Sequence, residues 1–181
     1  MSVCAMFYHI MLGHRTMKNL FIVRHSKAVE VAPDFSDFNR CLADYGVEKA
    51  TAIAEHLARD LNQVDLMLSS PACRALETAK IFAENLNYPS TDIVQQEPLY
   101  HFGGIDRAID IISHVDDDVN TLMLFGHNPT FNALCWNLCK EFREGMPTSA
   151  VVGITFKTST WPKAINRGGK LLTYLTKKNL V

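Results

Sequence analysis

The chain has 181 residues, 48% of them hydrophobic, with 18 basic against 19 acidic side chains and a formal net charge of -1. That length suits one domain around one core, and the near-neutral balance excludes the basic stripe by which a nucleic-acid-binding protein holds phosphate backbones. No apolar run approaches the ~20 residues of a membrane-spanning helix, so no membrane partner is expected.

Residues 1–16 are moderately apolar but lack the basic n-region and A-x-A-like cleavage site of a signal peptide. Two readings stand: Met17 is the natural start, or residues 1–16 are an N-terminal extension, disordered or non-native, ahead of a domain over 17–181. Residues 19–23 (NLFIV) are an apolar, partly β-branched run ending at Arg24, the pattern of a buried strand that opens into a loop. After a polar loop containing Pro33, Asp34 and Asp37, apolar residues Val47, Ala50, Ile53, Ala54, Leu57 and Leu61 recur at helical spacing, which predicts an amphipathic helix over 44–62. Residues 64–68 (VDLML) read as a second strand. Ser69-Ser70-Pro71 then reads as the cap hydroxyl and proline that start a helix from Ala72 to about Leu86. Ile93 and Val94 fit a minor strand, 105–113 (IDRAIDIIS) another amphipathic helix, and 116–120 a turn. Residues 121–125 (TLMLF) are the third clear core strand, ending at Gly126-His127-Asn128-Pro129, and 130–142 is again helical in pattern. Residues 150–157 and 170–176 read as late strands joined through a turn-rich stretch over 162–169. Strands alternating with helices predict an α/β fold with a mostly parallel sheet.

Cys4, Cys41, Cys73, Cys135 and Cys139 are an odd set without a C-x-x-C pair, several inside apolar helical patterns, and suit reduced core thiols in a cytoplasmic protein. Cys135 and Cys139 share a helix face, but no second Cys/His pair has ligand spacing, so no metal site is expected.

In parallel sheets, ligands sit beyond the carboxyl ends of the strands. The three best strands end at Arg24-His25, at Ser70-Pro71 just before Arg74, and at Gly126-His127. Two arginines and two histidines at one sheet edge make an electropositive cup inside a neutral protein, and the planar guanidinium fork matches phosphate oxygens. Among these side chains only a histidine is both a nucleophile toward phosphorus and a workable leaving group near neutral pH, and His25 fits that role.

The string Leu20-Phe21-Ile22-Val23-Arg24-His25-Ser26-Lys27-Ala28 resembles the RHG motif of the histidine phosphatase superfamily. Ser69-Ser70-Pro71-Ala72-Cys73-Arg74-Ala75-Leu76-Glu77-Thr78-Ala79 resembles its second arginine motif, and Gly126-His127-Asn128-Pro129 its third. Asp37-Phe38-Asn39-Arg40-Cys41-Leu42 is similar to the D-x-x-R-P-L segment of the compact SixA-like branch, the phosphohistidine phosphatases. The similarity runs from about Lys18 to Lys178 and implies a phosphoglycerate mutase-like, three-layer sandwich with helices flanking the sheet. It implies that His25 is the nucleophile and becomes a phosphohistidine, that Arg24 and Arg74 clamp the equatorial oxygens, and that His127 hydrogen-bonds the phosphoryl group. Arg40 would be a further phosphate contact, and Ser26 and His101 are candidate substrate contacts. Ser26 stands where glycine is usual, which requires only a negative φ there; Cys41 replaces a proline, which would loosen the loop. Glu97 and Asp106 are candidates for a general acid, although each also reads as a solvated carboxylate and SixA-like proteins can lack a dedicated acid.

The stretch between Arg74 and His127 is too short for the large insertion that covers the site in phosphoglycerate mutases, so a shallow, open pocket is expected. Such a cup suits phosphohistidine on a partner, for example a histidine phosphotransfer domain or a phosphocarrier protein. The alternatives are a small-molecule phosphomonoesterase using the same residues and an inactive phosphate- or protein-binding module. The scheme needs no metal and no cofactor, because arginines supply the positive charge, and the chain is expected to act as a cytoplasmic monomer.

Overall fold

The computed structural model describes residues 17–30, 36–100 and 104–180. Residues 20–23 form an uninterrupted apolar run, and they lie on one of the two central strands of the sheet. The strands are β1 (Lys18–Arg24), β2 (Leu66–Ser69), β3 (Val94–Gln95), β4 (Thr121–Gly126), β5 (Val151–Phe156) and β6 (Lys170–Leu175), and the order across the sheet is β3-β2-β4-β1-β5-β6. The pairings among β1 to β4 are parallel, and β5 and β6 add an antiparallel edge.

Alternation along β1 splits the core in two, as the pleat requires. Leu20 and Ile22 join Phe131, Leu134 and Trp161 on one face, whereas Phe21 and Val23 join Ile53, Phe82 and Phe125 on the other. The first face is covered by α3 (Ile105–Ser113), α4 (Thr130–Leu138) and α5 (Trp161–Arg167), the second by α1 (Asp44–Leu57) and α2 (Cys73–Asn85). Three layers with a mostly parallel centre result, the phosphoglycerate mutase-like α/β fold.

Four readings of the sequence change. The stretch over 162–169 is not a turn but α5: Pro162 lies in its first turn, Gly168 ends it at a φ of 70°, and Trp161 is fully buried with its indole N–H donated to Val119 O. The helix at 44–62 stops at Leu57, yet Leu61 still reaches the core through a turn closed by Leu61 N–H to Leu57 O. The helix at 130–142 stops at Leu138 because Cys139 turns extended and pairs with Gly169. Finally, Cys41 and Cys73 are not core thiols; they form a disulfide, while Cys135 and Cys139 are buried free cysteines. No helix of the described residues is long and apolar enough to cross a membrane. Residues 1–16, their boundary with the domain and His101 lie outside the described residues.

Candidate active site

Strand register assembles the site. Arg24 pairs with Gly126 and Ser69 with Phe125, so the first residues past β1, β2 and β4 emerge at one level of the sheet edge. Two bonds continue the ladder beyond the strands: His25 N–H donates to Gly126 O at 3.0 Å, and Ser70 N–H to Phe125 O at 2.9 Å. His25 and His127 thereby meet with ring centroids 4.9 Å apart. Arg74, in the first turn of α2, is 7% exposed, and Arg24 turns its guanidinium onto Met146 O at 2.7 Å.

The hydrogen bonds of His25 fix its chemistry. Nδ1 lies 2.7 Å from Ser26 O; a carbonyl only accepts, so Nδ1 carries the proton and Nε2 keeps its lone pair. Burial, and after it the charges of Arg74, Arg24 and Arg40, pull the ring down to about 4, although the bond to Ser26 works the other way. At neutral pH the ring is therefore uncharged and nucleophilic. His127 is pulled down to about 3, by burial first and then by the charges of His25 and Arg74, with Asp37 opposing. Its Nε2 lies 2.8 Å from Ser70 Oγ, which already accepts from Ala72 N–H. A hydroxyl both donates and accepts, so the contact admits either tautomer; where the Ser70 hydroxyl donates to Nε2, the single ring proton sits on Nδ1. Among the described residues that Nδ1, Arg24 Nε and Asn128 Oδ1 are buried without a hydrogen-bond partner.

The arginines on the opposite side of the cup are organised by Asp37, a residue without an assigned role in the sequence reading. Arg74 donates from Nη1 to Asp37 O at 2.6 Å and from Nη2 to Asp37 Oδ2 at 2.8 Å, while Arg40 donates from Nη1 to Asp37 Oδ1 at 2.9 Å and from Nε to Val29 O at 2.8 Å. Burial works to raise the Asp37 carboxyl, but the hydrogen bonds and charges of Arg40 and Arg74 prevail and hold it below the usual range, so it is ionised. An acid three residues before Arg40 was the signal that could have found it.

Ser26, expected as a substrate contact, is fully buried and engaged within the protein. Its N–H goes to Thr78 Oγ1, and its hydroxyl donates to Gly46 O and accepts from Ser149 Oγ. No positive φ is recorded at Ser26, so the serine fits where glycine is usual; Ser149 takes the strain instead, at a φ of 63°. Gly46 lets α1 approach: a Cβ there would lie 2.0 Å from Lys27 O. The Ser69 and Ser70 hydroxyls do not cap α2, whose N-cap is Ala72; Ser70 serves His127 instead. Tyr100, beside the predicted His101, stands edge-on to His127 at 5.7 Å and to Phe38 at 5.1 Å. Glu97 opens the short 3-10 turn that carries Tyr100, and Asp106 is exposed in the first turn of α3. Among the described residues, the His, Cys, Asp and Glu groups close enough to share an ion are Cys41, Cys73 and Glu77, and the disulfide occupies both sulfurs.

The family model for the histidine phosphatase superfamily (branch 1) matches residues 20–102, which contain Arg24, His25, Arg40 and Arg74. A crystal structure from Agrobacterium tumefaciens, assigned as the phosphohistidine phosphatase SixA, is 27% identical, with a TM-score of 0.72 over 88% of this chain and 97% of that one. Over residues 20–102 the chain matches the histidine phosphatase superfamily. Within it, the structural similarity is to the SixA-like branch: the protein histidine phosphatase SixA, solved with tungstate, shares the fold at a TM-score of 0.76 and 24% identity over 90% of this chain and 99% of that one. An uncharacterized protein of Mycobacterium tuberculosis is 34% identical over 113 residues, which are 62% of this chain and 66% of that protein.

Proposed function

We propose that this chain is a metal-independent phosphatase that hydrolyses phosphohistidine on a partner protein through a covalent intermediate on His25. The observation that carries the reading is the pair of neutral histidines at the strand tips, one with a free Nε2 lone pair, set against Arg24, Arg40 and Arg74. In the first step His25 Nε2 attacks phosphorus and the phosphorus–nitrogen bond to the substrate imidazole breaks; that ring, protonated on its other nitrogen, takes the electron pair and leaves as neutral imidazole. In the second, water attacks phosphorus, the bond to His25 breaks with its electron pair returning to Nε2, and a proton of the water passes to a phosphoryl oxygen, giving inorganic phosphate.

Arg24 and Arg74 bind the non-bridging oxygens, with Arg40 as a further contact, and His127 Nδ1–H donates to the phosphoryl group as its charge grows. Preorganised donors of this kind contribute about 3 kcal/mol each to the transition state. Asp37 orients the two arginines and, being ionised, is not the acid. Departing imidazole has a conjugate acid near ~6.5, far better than an alkoxide, so the reaction does not depend on a strong general acid; Glu97 and Asp106 remain the carboxylates to test for small phosphomonoesters.

A protein substrate is favoured by a groove running from Arg24 past Asn128 and Met146 to Trp136, a residue 47% exposed. The SixA names of the structural neighbours point the same way. The deciding experiment is a substrate panel. Phosphohistidine phosphotransfer and phosphocarrier proteins should be dephosphorylated at least tenfold faster, in kcat/KM, than sugar or nucleotide phosphates, a difference of ~1.4 kcal/mol in transition-state binding, and EDTA should leave the rate unchanged. Faster turnover of small phosphomonoesters would make the chain a phosphomonoesterase; no turnover of either would make it a binding module.

A further inference from the structure

The disulfide joins the two residues that stand next to the loop-borne arginines: Cys41 follows Arg40, and Cys73 precedes Arg74 as the first residue of α2. We infer that the Cys41–Cys73 disulfide positions the Arg40–Asp37–Arg74 platform and makes phosphate binding sensitive to thiol reductants. The inference rests on the reading of this platform as the phosphate clamp.

The geometry forms a closed ring. From Asp37 the chain runs through Arg40 to Cys41, crosses the disulfide to Cys73, and returns through the Arg74 guanidinium to the Asp37 main-chain oxygen and carboxylate. Beyond the sulfurs the same loop is held to α2 by Leu42 N–H donating to Glu77 Oε2 at 2.6 Å, and to the segment after His25 by the Ala28–Leu42 bridge. The loop is exposed at Asp37 and Asn39 and contributes no buried residue in its 3-10 turn, so few apolar contacts hold it. The covalent bond, closing a separation of 32 residues, is the strongest constraint on where Asp37 meets Arg74. Both half-cystines are half-buried, within reach of a small dithiol.

In the reaction, a dithiol gives two electrons and two protons: the Cys41–Cys73 bond breaks, each sulfur becomes a thiol, and the dithiol becomes a cyclic disulfide. With the bond broken, the loop that carries Arg40 is tied to α2 through Asp37 and the Leu42–Glu77 hydrogen bond alone among the contacts named above. His25, Ser70 and His127 are held by the strand ladder and are unaffected. The change should therefore fall on phosphate affinity and KM rather than on kcat.

The test uses the full chain purified without reductant, with thiol alkylation and mass spectrometry to count free Cys41 and Cys73. Binding of inorganic phosphate is measured by calorimetry, and turnover with p-nitrophenyl phosphate, before reduction with dithiothreitol, after it, and after reoxidation. Reduction is expected to weaken phosphate binding and raise KM roughly tenfold, the scale of one lost charge-assisted hydrogen bond, with kcat changed less than about twofold, and reoxidation to restore both. The Cys41→Ser/Cys73→Ser pair should match the reduced protein and ignore the reductant; if it does not fold, the reduction and reoxidation cycle of the unsubstituted protein decides. Equal phosphate affinity in both redox states, no phosphate binding in either, the same reductant response in the serine pair, or free thiols at both positions from the outset would overturn the inference. Loss of turnover in both states with the affinity shift intact would instead refute the phosphatase reading and leave this one standing.

Discussion

His25, Ser70 and His127 are held by the sheet itself, whereas Arg40, Asp37 and Arg74, across the cup, are held by one another. On the strand side, bonds from His25 N–H to Gly126 O and from Ser70 N–H to Phe125 O extend the parallel ladder, so position follows from strand register. On the loop side the partners are charged, Asp37 is half-exposed, and a disulfide ties the segment to α2. On the proposed reading, the nucleophile thus sits on the rigid half and the phosphate clamp on the half held by charge and by the disulfide. Thr78 links them, its Oγ1 accepting from Ser26 N–H and donating to Arg74 O.

Substitution on the rigid half should cost most. His25→Ala is expected to lower kcat/KM by roughly 10^4-fold or more, as loss of a nucleophile does elsewhere, and to abolish the acid-labile, base-stable label that a single-turnover trap finds on the unsubstituted protein. Label persisting on His25→Ala would place the nucleophile elsewhere. Arg74→Ala should cost about 10^2- to 10^3-fold, with Arg74→Lys recovering little because lysine cannot span two oxygens.

The same division explains what could be read before any coordinates. His25 and His127 each follow an apolar run whose end is visible, and the α/β alternation tells where such ends converge. Arg74 was legible because a serine-proline turn precedes it. The loop half was hidden: Asp37 and Arg74 are 37 residues apart and meet only when α2 docks beside the loop, and the same docking joins Cys41 to Cys73. Ser70 looked like a helix cap, since its tie to His127 depends on β2 lying beside β4. The stretch from Trp161 to Arg167 looked like a turn because the burial that makes it a helix is tertiary.

Asp37→Asn separates the halves directly. It removes the charge that holds both guanidiniums but leaves a side chain of the same shape, so KM for phosphohistidine protein should rise about tenfold, the worth of one charge-assisted hydrogen bond, with kcat little changed. Tighter phosphate binding would show instead that Asp37 competes with phosphate for Arg74. Ionic strength should act in the same direction, and more on Arg40, whose side chain is 22% exposed, than on Arg74, at 8%.

Acid should weaken the strand half through its histidines. His25 and His127, depressed to about 4 and about 3 in the folded state, are near ~6.5 when unfolded. Below ~6.5 the unfolded chain takes up protons that the folded rings refuse, so stability is full above that pH and falls as pH drops toward about 4. Urea midpoints should fall between about pH 7 and pH 5, and fall less in a His25→Gln/His127→Gln protein; equal slopes in the two proteins would remove the histidines as the cause. In catalysis the same depression keeps Nε2 unprotonated, so the acid limb of kcat/KM should lie well below ~6.5.

The smallest effect on rate is expected at Ser26, beside the nucleophile in sequence but buried under it in space. Ser26→Ala removes the proton given to Gly46 O and the acceptor of Ser149 Oγ, yet keeps the N–H to Thr78 and the carbonyl that orients His25. Leaving buried partners unsatisfied should cost about 1–3 kcal/mol of stability, whereas kcat/KM should change by less than about threefold, under 1 kcal/mol of transition-state binding. A loss of rate as large as that of Asp37→Asn, at unchanged stability, would make the hydroxyl a substrate contact after all and would move Ser26 from the scaffold to the cup. The rate effect is small because the part of residue 26 that faces the chemistry is its main-chain oxygen, which any residue of negative φ supplies equally well.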